Sequence, residues 1–375
     1  MKTAEHKPKV LLGMSGGVDS SVAAVLLMEQ GYEVIGAFMK NWSDTESSNG
    51  QETSDKEDEA RTECSWRTER RDAMRVAAQL GIPFHTFDFE ELYRKDVYEY
   101  MIREYAAGRT PNPDVLCNKY MKFGYLMEKA DELGCDFIAT GHYARTVERD
   151  GSTHLLAGVD KNKDQSYFLC QLTQNQLSRA LFPIGHLEKS EVRQIAREHK
   201  LIVCDKKDSQ GICFVGKVNM MEFLKSRIPE QTGNIVTTSG EVIGTHKGHA
   251  YYTIGQRTGL GIGGGVPYFV VERRPETNEI VVALGEDDPA LFSSVLDASE
   301  ISETIPGNLE TFVGKKLMAR IRYRQPLVEA RILKLESGNL NVEFTKPQRA
   351  VAPGQFIAFY NADELIGSAV IDRAA

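Results

Sequence analysis

The residues of this chain best suited to chemistry by type and spacing fall in three places. The first is Gly13-Met14-Ser15-Gly16-Gly17-Val18-Asp19-Ser20. It follows the apolar run Val10-Leu11-Leu12 and precedes Val22 to Leu27, an apolar, small-residue segment with helical spacing that stops at Gly31. A strand, a glycine turn and a helix in that order make an anion site. Glycines let the backbone approach a ligand, and the amides of the first helical turn point outward where the helix dipole favours negative charge. Ser15, Ser20 and Ser21 add hydroxyl donors. A plain helix cap at Asp19 or Ser20 accounts for one polar residue. It does not account for so many small and polar residues after a buried strand, so the loop reads as a phosphate cradle. The second place is Gly108-Arg109-Thr110-Pro111-Asn112-Pro113-Asp114-Val115-Leu116-Cys117-Asn118-Lys119. Its prolines enforce a rigid turn, and Cys117 falls near the start of the next helix. A helix start lowers a thiol pKa. Asp114 opposes that lowering and suits proton transfer. A buried cysteine with Asp114 as an N-cap explains the same spacing. The third place is Lys206-Lys207-Asp208-Ser209-Gln210-Gly211-Ile212-Cys213-Phe214, a polar, glycine-containing loop that delivers Cys213. Nothing in the periodicity brings Cys117 and Cys213 together.

The type of cradle is narrower. A Walker A loop requires Gly-Lys-Ser/Thr, which occurs nowhere in the chain. The nearest dinucleotide-type string, Gly259 to Gly265, lacks a strand-to-helix context. Ser15-Gly16-Gly17-Val18-Asp19-Ser20 instead looks like the pyrophosphate loop of ATP pyrophosphatases, which cut ATP between the α and β phosphates and adenylate a carbonyl oxygen.

The elements that must position these residues follow from pattern. Glu33 to Phe38 and Phe84 to Phe89 read as strands, as does Cys135 to Thr140. Glu69 to Leu80, Glu90 to Ala107 and Lys119 to Leu133 read as helices. Strand–helix alternation predicts a parallel α/β sheet with right-handed crossovers. Met39, Asn41 and Trp42 lie past the end of the second strand, where an open α/β sheet binds its ligands. Met39 is there either an adenine contact or core packing. Gly141 permits close backbone approach at the end of a later strand, beside His142. Ser43 to Glu63 is acidic and nearly free of apolar residues, which predicts a mobile loop. Cys135 and Cys170 sit in apolar segments and read as structural. Beyond Val215 helical periodicity fades. From about Asp288 short alternating strands predict a small β-barrel: Lys316 to Tyr323, Val328 to Leu335, Asn341 to Thr345 and Gln355 to Tyr360. Lys315, Lys316, Arg320, Arg322, Arg324 and Arg331 gather there with Tyr323. They make either a phosphate-contacting patch or a solvated strand face. The boundaries expected are 1–214, 215–286 and 287–375.

Composition narrows the class. With 375 residues the chain is long enough for two or three domains. A formal net charge of −8 argues against indiscriminate nucleic-acid binding but permits a local basic face. No apolar run approaches a membrane span, and Met1 to Val10 has no apolar core of a secretory signal, so a cytoplasmic location away from membranes is expected. The six cysteines form no Cys-x-x-Cys pair, which argues against a zinc ribbon and a disulfide scaffold. No protein-only metal site is visible.

Taken in order, the cradle, Asn112-Pro113-Asp114-x-x-Cys117-Asn118, Thr140-Gly141-His142-Tyr143, Lys163-Asp164-Gln165-Ser166-Tyr167-Phe168, Gly211-Ile212-Cys213-Phe214 and Gly255-Gln256-Arg257 closely resemble the bacterial tRNA-specific 2-thiouridylase (MnmA) family over nearly the whole chain. The resemblance implies a pyrophosphate-loop α/β domain, a small central domain and a C-terminal β-barrel. It implies ATP as substrate, bound at Gly13, Met14, Ser15, Gly16, Gly17, Val18, Asp19 and Ser20 with Met39 and Gly141, and Mg2+ accompanying it. The C2 carbonyl oxygen of the wobble uridine of tRNA would be adenylated. Cys213 would carry a persulfide from a cysteine desulfurase or sulfur-relay protein, and its terminal sulfur would attack C2 directly or after release as hydrosulfide; Cys117 would be the partner thiol, in one version closing a disulfide with Cys213 as sulfur leaves, and Asp114 would act as acid/base. Asn112, Pro113 and Asp114 would approach the target base. His142, Lys163, Asp164, Gln165, Arg322, Tyr323 and Gln355 would contact or position tRNA. Two features depart from the family: a longer, more acidic loop from Asp44 to Glu63, and Cys204 where a small non-thiol residue is usual. Two other classes share parts of the pattern: an amidating or ligating ATP pyrophosphatase that needs no cysteine pair, and a non-catalytic tRNA-binding or sulfur-carrier protein.

Overall fold

A computed structural model describes residues 7–43, 65–207, 220–263 and 265–375. The acidic loop and Cys213 lie outside the described residues. By internal contacts the chain forms two compact units. The first is Met1–Val97 and Asp114–Lys217 with Asp363–Leu365; the second is Tyr98–Pro113 and Val218–Ala362 with Ile366–Ala375.

In the first unit, β1 (Lys9–Gly13) leads through the glycine loop into α1 (Val18–Glu29), then β2 (Glu33–Lys40), α2 (Ser65–Leu80) and β3 (Phe84–Asp88). A helical run follows: α3 (Glu90–Tyr93), a π-helical stretch Arg94–Tyr98, and α4 (Glu99–Ala106), the last in the second unit. Then come α5 (Pro113–Leu116), a π-helix Cys117–Tyr125, α6 (Leu126–Glu132), β4 (Phe137–Thr140), the hairpin β5 (Ala144–Arg149) and β6 (Ser152–Ala157), a 3-10 turn Ser166–Leu169, α7 (Gln174–Leu177), β7 (Ala180–Leu181) and α8 (Lys189–Glu198).

The sheet is parallel, in the order β3-β2-β1-β4-β7. Val10, Leu11 and Leu12 of β1 are wholly buried, as a central strand covered on both faces requires. The chain runs outward from β1 through β2 to β3, then returns to place β4 on the other side of β1. That reversal puts the switch point between β1 and β4, where a doubly wound sheet opens its ligand crevice. The loops leaving those two strands are Gly13–Gly17 and Gly141–His142.

The sequence predicts one α-helix from Lys119 to Leu133; the first half is π-helical instead. The Gln176 side chain explains the widened turns. Its Nε2 donates to the carbonyls of Lys119 (3.1 Å) and Phe123 (2.8 Å). Carbonyls taken by an inserted side chain no longer serve the regular ladder. The predicted Glu90–Ala107 helix is similarly interrupted at Arg94–Tyr98.

The second unit contains α9 (Met220–Lys225), β8 (Gly233–Thr237), β9 (Val242–His246), β10 (Tyr268–Arg274) and β11 (Glu279–Leu284), with the strands in the order β10-β11-β8-β9. Then come β12 (Phe292–Glu303), β13 (Lys316–Arg320), β14 (Val328–Glu336), β15 (Asn339–Arg349), β16 (Phe356–Asn361) and β17 (Glu364–Ala374). These last six run β12-β15-β14-β13-β16-β17, and β17 pairs back onto β12, closing a barrel. Its interior is filled by alternate residues such as Ala330 and Ile332 of β14, Val342 and Phe344 of β15, and Ile357 and Phe359 of β16.

Candidate active site

The loop after β1 is built for close approach. Gly16 has φ +72°, and a Cβ placed there would lie 2.2 Å from the Glu69 carbonyl oxygen. Gly141 lies against the same loop: its Cβ would fall 2.7 Å from the Ser20 nitrogen and 2.8 Å from the Asp19 carbonyl carbon. Gly17 shows no such crowding.

The plain helix cap at Asp19 or Ser20, the alternative to a cradle, is not found. Gly17 is the N-cap, and no side chain caps α1. The reason is that Ser20 and Ser21 turn back and donate to the Gly17 carbonyl, at 3.3 and 2.8 Å. The Ser15 amide donates to Ser20 Oγ at 3.2 Å. The hydroxyls brace the loop, and anion-binding capacity rests on the uncapped amides at the helix start.

Asp19 is the electrostatic hub. Its Oδ1 accepts from Tyr143 Oη (2.8 Å) and from Lys189 Nζ (2.6 Å). The Lys189 side chain is only 13% exposed and lies at the first turn of α8. Lys206 Nζ donates to the Gly16 carbonyl (3.0 Å) and to the Asp72 carboxylate (2.7 Å). Sequence reasoning gave Lys189 no role, and Lys206 none beyond membership of a polar loop. The sequence does mark the start of α8, through the capping box formed by Glu188 and Glu191. Met39 is buried at the end of β2. Two residues on, Asn41 is buried, and among the described residues its amide oxygen and nitrogen have no partner. A buried amide left unpaired by protein is unusual and fits a ligand-facing position.

The same unit brings Asp114 and Cys117 to the 163–169 turn. Asn118 Nδ2 donates to the Asp114 carbonyl (3.0 Å) and to the Phe168 carbonyl (3.1 Å). Cys117 is fully buried. Lys163 is half-buried, whereas Asp164 is buried and accepts from the amides of Gly158 and Ser166 at 3.0 and 3.1 Å. Gln165 accepts from the Tyr143 amide at 3.0 Å and donates its own amide to the Tyr143 carbonyl at 2.9 Å. Asp164 and Gln165 thus hold the turn together and link it through Tyr143 to Asp19.

His142 is buried, with Nδ1 2.7 Å from Thr140 Oγ1 and Nε2 3.4 Å from Lys122 Nζ. An ammonium only donates, so Nε2 accepts and Nδ1 carries the proton. Burial first, and the Lys122 charge second, hold this imidazole well below its ordinary value. The unfolded chain therefore takes up a proton near pH 6.5 that the fold refuses. The contribution is full above that pH and is lost as pH falls towards the lower folded value. His142→Gln is expected to flatten the decline in Tm between pH 7 and pH 5. An unchanged slope would contradict a neutral His142.

In the second unit, Asn112 Nδ2 lies 3.4 Å from Gln355 Oε1. Arg322 is exposed, and its guanidinium donates to the carbonyls of Arg349 and Ala350. Arg324 stacks on Tyr323, Lys316 pairs with Glu329, and Lys315 lies over Phe312. Arg320 is buried over the Tyr360 ring and does not belong to an exposed patch. Cys204 packs against the first unit's core, its carbonyl held by Arg193.

Comparison with known proteins decides the family. A family model described as "tRNA methyl transferase HUP domain" matches residues 8–217, its PRC-barrel companion matches 221–284, and an "Aminomethyltransferase beta-barrel domain" matches 310–371. The chain is 48% identical over 374 residues to the tRNA-specific 2-thiouridylase MnmA of Geobacillus thermodenitrificans, covering 100% of this chain and 97% of that protein. It is also 48% identical to the MnmA of Staphylococcus epidermidis, over 97% of this chain and 95% of the relative. The chain belongs to the tRNA-specific 2-thiouridylase family. Its fold is the family's, with a parallel-sheet domain, a central domain and a closed C-terminal β-barrel. Among solved structures, a 4-thiouridine synthetase–RNA complex with bound ATP matches with a TM-score of 0.33 at 18% identity, covering 59% of this chain and 50% of that one. NMN synthetase from Francisella tularensis matches at 0.31 and 16% identity, covering 54% of this chain and 66% of that one. Among the described residues no helix is long and apolar enough to cross a membrane, and no group of three or more His, Cys, Asp or Glu side chains is placed to hold a metal ion.

Proposed function

We propose that the protein is an ATP-dependent tRNA sulfurtransferase that replaces the C2 oxygen of the wobble uridine, uridine 34, with sulfur. The observation that carries this reading is 48% identity to thiouridylases along the whole chain. The domains divide at 1–214, 215–286 and 287–375. ATP binds at Gly13 to Ser20, with its purine toward Met39 and Asn41 and its phosphates over the uncapped start of α1. Mg2+ would accompany the nucleotide and neutralise charge on its phosphates. The uridine C2 oxygen attacks the α phosphorus, pyrophosphate leaves, and the base carries AMP as a good leaving group.

Sulfur arrives as a persulfide on Cys213, supplied by a donor protein in the cytoplasm. Its terminal sulfur attacks C2 and AMP departs. The Cys117 thiol attacks the Cys213 sulfur, so the S–S bond to the transferred sulfur breaks as the Cys117–Cys213 disulfide forms. A thiol reductant then supplies two electrons to restore both thiols. Asp114 moves the proton at Cys117 or at the base. Asn112, Pro113 and Asp114 meet the uridine. His142, Lys163, Asp164, Gln165, Arg322, Tyr323 and Gln355 contact the anticodon arm or hold the segments that do, in keeping with recognition of a splayed base and backbone.

The test is AMP release with transcripts of the glutamate, lysine or glutamine tRNAs. AMP should appear only with uridine at the wobble position. AMP formed equally with cytidine there would contradict the reading.

Lys189 offsets Asp19 in a site that must accept polyphosphate. Lys189→Met leaves Asp19 facing the phosphates and should raise the KM for ATP by about tenfold, equivalent to about 1.4 kcal/mol. An unchanged KM would remove Lys189 from the site.

A further inference from the structure

The π-helix Cys117–Tyr125 starts on the thiol that the mechanism above uses to cleave the persulfide. Nine residues is long for a form that occurs mostly as single-turn bulges, frequently at functional sites. An α-helix turns by about 100° per residue. Each residue absorbed by a widened turn therefore rotates the chain before it by about 100° relative to the chain after it. The chain after it is fixed. Leu126 and Ala130 of α6 are wholly buried, and Leu126 Cδ2 lies 3.5 Å from where a Gly13 Cβ would stand at the end of β1. The register of 117–125 thus sets the direction in which Cys117 faces.

Contacts within the first unit hold that register. Gln176 Nε2 donates to the carbonyls of Lys119 (3.1 Å) and Phe123 (2.8 Å). Its Oε1 accepts from the Thr173 amide (3.0 Å) and the Thr173 hydroxyl (3.3 Å). Both amide hydrogens and the oxygen are therefore committed, which pins the side chain in the helix. Gly124 meets the same carbonyl from inside the helix: a Cβ there would lie 3.2 Å from the Lys119 oxygen, five residues back. Glycine is a poor helix former, but here it lets the widened turn close. The Leu126 amide bonds to the Met121 carbonyl, again five residues back. At the other end Asn118 Nδ2 takes the Asp114 carbonyl (3.0 Å), which an α-helix would give to the Asn118 amide.

We propose that Gln176, with Gly124 beneath it, is a positioning residue for sulfur transfer. It keeps 117–125 in the π register and so turns the Cys117 thiol toward the sulfur it must take. This rests on the reading above, in which Cys117 is the partner thiol of the persulfide.

The experiment is a single turnover with the full-length protein in excess over a glutamate tRNA transcript, with ATP, Mg2+ and cysteine persulfide. Pyrophosphate formation reports adenylation, and thiouridine formation reports sulfur transfer. Gln176→Leu removes both donors at similar volume. It should lower the thiouridine rate about tenfold or more, with the pyrophosphate rate within about threefold of wild type. Gly124→Ala crowds the Lys119 carbonyl and should give the same split. Alanine is the better helix former, so a role for Gly124 in helix stability alone predicts no loss. Wild-type thiouridine rates in both variants would overturn the proposal. Equal losses of both rates in both variants would also overturn it, marking Gln176 as a support of the fold alone. If Gln176→Leu does not fold, Gly124→Ala decides by the same two rates. A wild-type protein that forms no thiouridine would sink the reading itself, and this inference with it.

Discussion

Gly141→Ala should lower ATP-dependent AMP formation by about a hundredfold or more while leaving the protein folded. The added methyl carbon would sit 2.7 Å from the Ser20 nitrogen and 2.8 Å from the Asp19 carbonyl carbon. Both are backbone atoms of the first turn of α1, so no flexible side chain can swing away. Either β4 or the start of α1 must move. Overpacking of this kind costs about 1–3 kcal/mol in stability, which a domain of this size tolerates. The catalytic cost is larger, because a displacement of about 1 Å at positioned reacting groups removes about two orders of magnitude in rate. A control separates crowding from loss of glycine as such. Gly263 has open space around its would-be Cβ and no positive φ, so Gly263→Ala should be near neutral. Kinetics of AMP release beside circular dichroism decide the matter. Near-wild-type turnover in Gly141→Ala would show that the phosphates do not sit over this turn.

The second large effect separates adenylation from sulfur transfer. Cys117→Ser should reduce thiouridine formation by about a thousandfold while AMP release continues, since serine cannot cleave a sulfur–sulfur bond as a thiolate does. Cys117 is fully buried and serine is nearly isosteric, so the fold should persist. The other buried cysteines provide the comparison. Burial pushes the Cys135 thiol up, which keeps it neutral and a poor nucleophile. Cys170 is fully buried in an apolar setting. Cys135→Ala and Cys170→Ala should retain thiolation. Thiolation retained in Cys117→Ser would contradict the paired-thiol mechanism.

Much of the first unit was legible because its signals are local. The run Val10 to Leu12 is continuous and apolar, as a strand covered on both faces demands, and the glycines that follow mark the bend. The barrel was legible from alternation, as in Ala330 and Ile332 of β14. What the sequence hid depends on contacts between distant residues. The pair between Lys189 and Asp19 spans 170 positions and leaves no periodic trace. The π-helix after Cys117 arises from Gln176, more than fifty positions away, taking carbonyls that an α-helix would use. The serines of the glycine loop looked like ligand donors by type, yet Ser20 and Ser21 are turned onto Gly17 because that carbonyl lies within reach one helical turn back. Asp164 and Gln165 likewise matched a tRNA-contacting motif by identity, while their side chains bond backbone amides of their own unit. The β5–β6 hairpin carried a local signal that went unused: Asp150 and Gly151, both at positive φ, form the two-residue turn favoured between antiparallel strands.

The most direct test of the account is retardation of tRNA on an organomercury gel, which detects thiouridine by its affinity for mercury. Purified protein, ATP with Mg2+, a glutamate tRNA transcript and a persulfide source are combined, for wild type and for Cys213→Ser. The account predicts retarded tRNA with wild type and none with Cys213→Ser, while both release AMP. Equal retardation with Cys213→Ser would contradict the cysteine relay. Neither retardation nor AMP with the wild-type protein would contradict the enzyme itself.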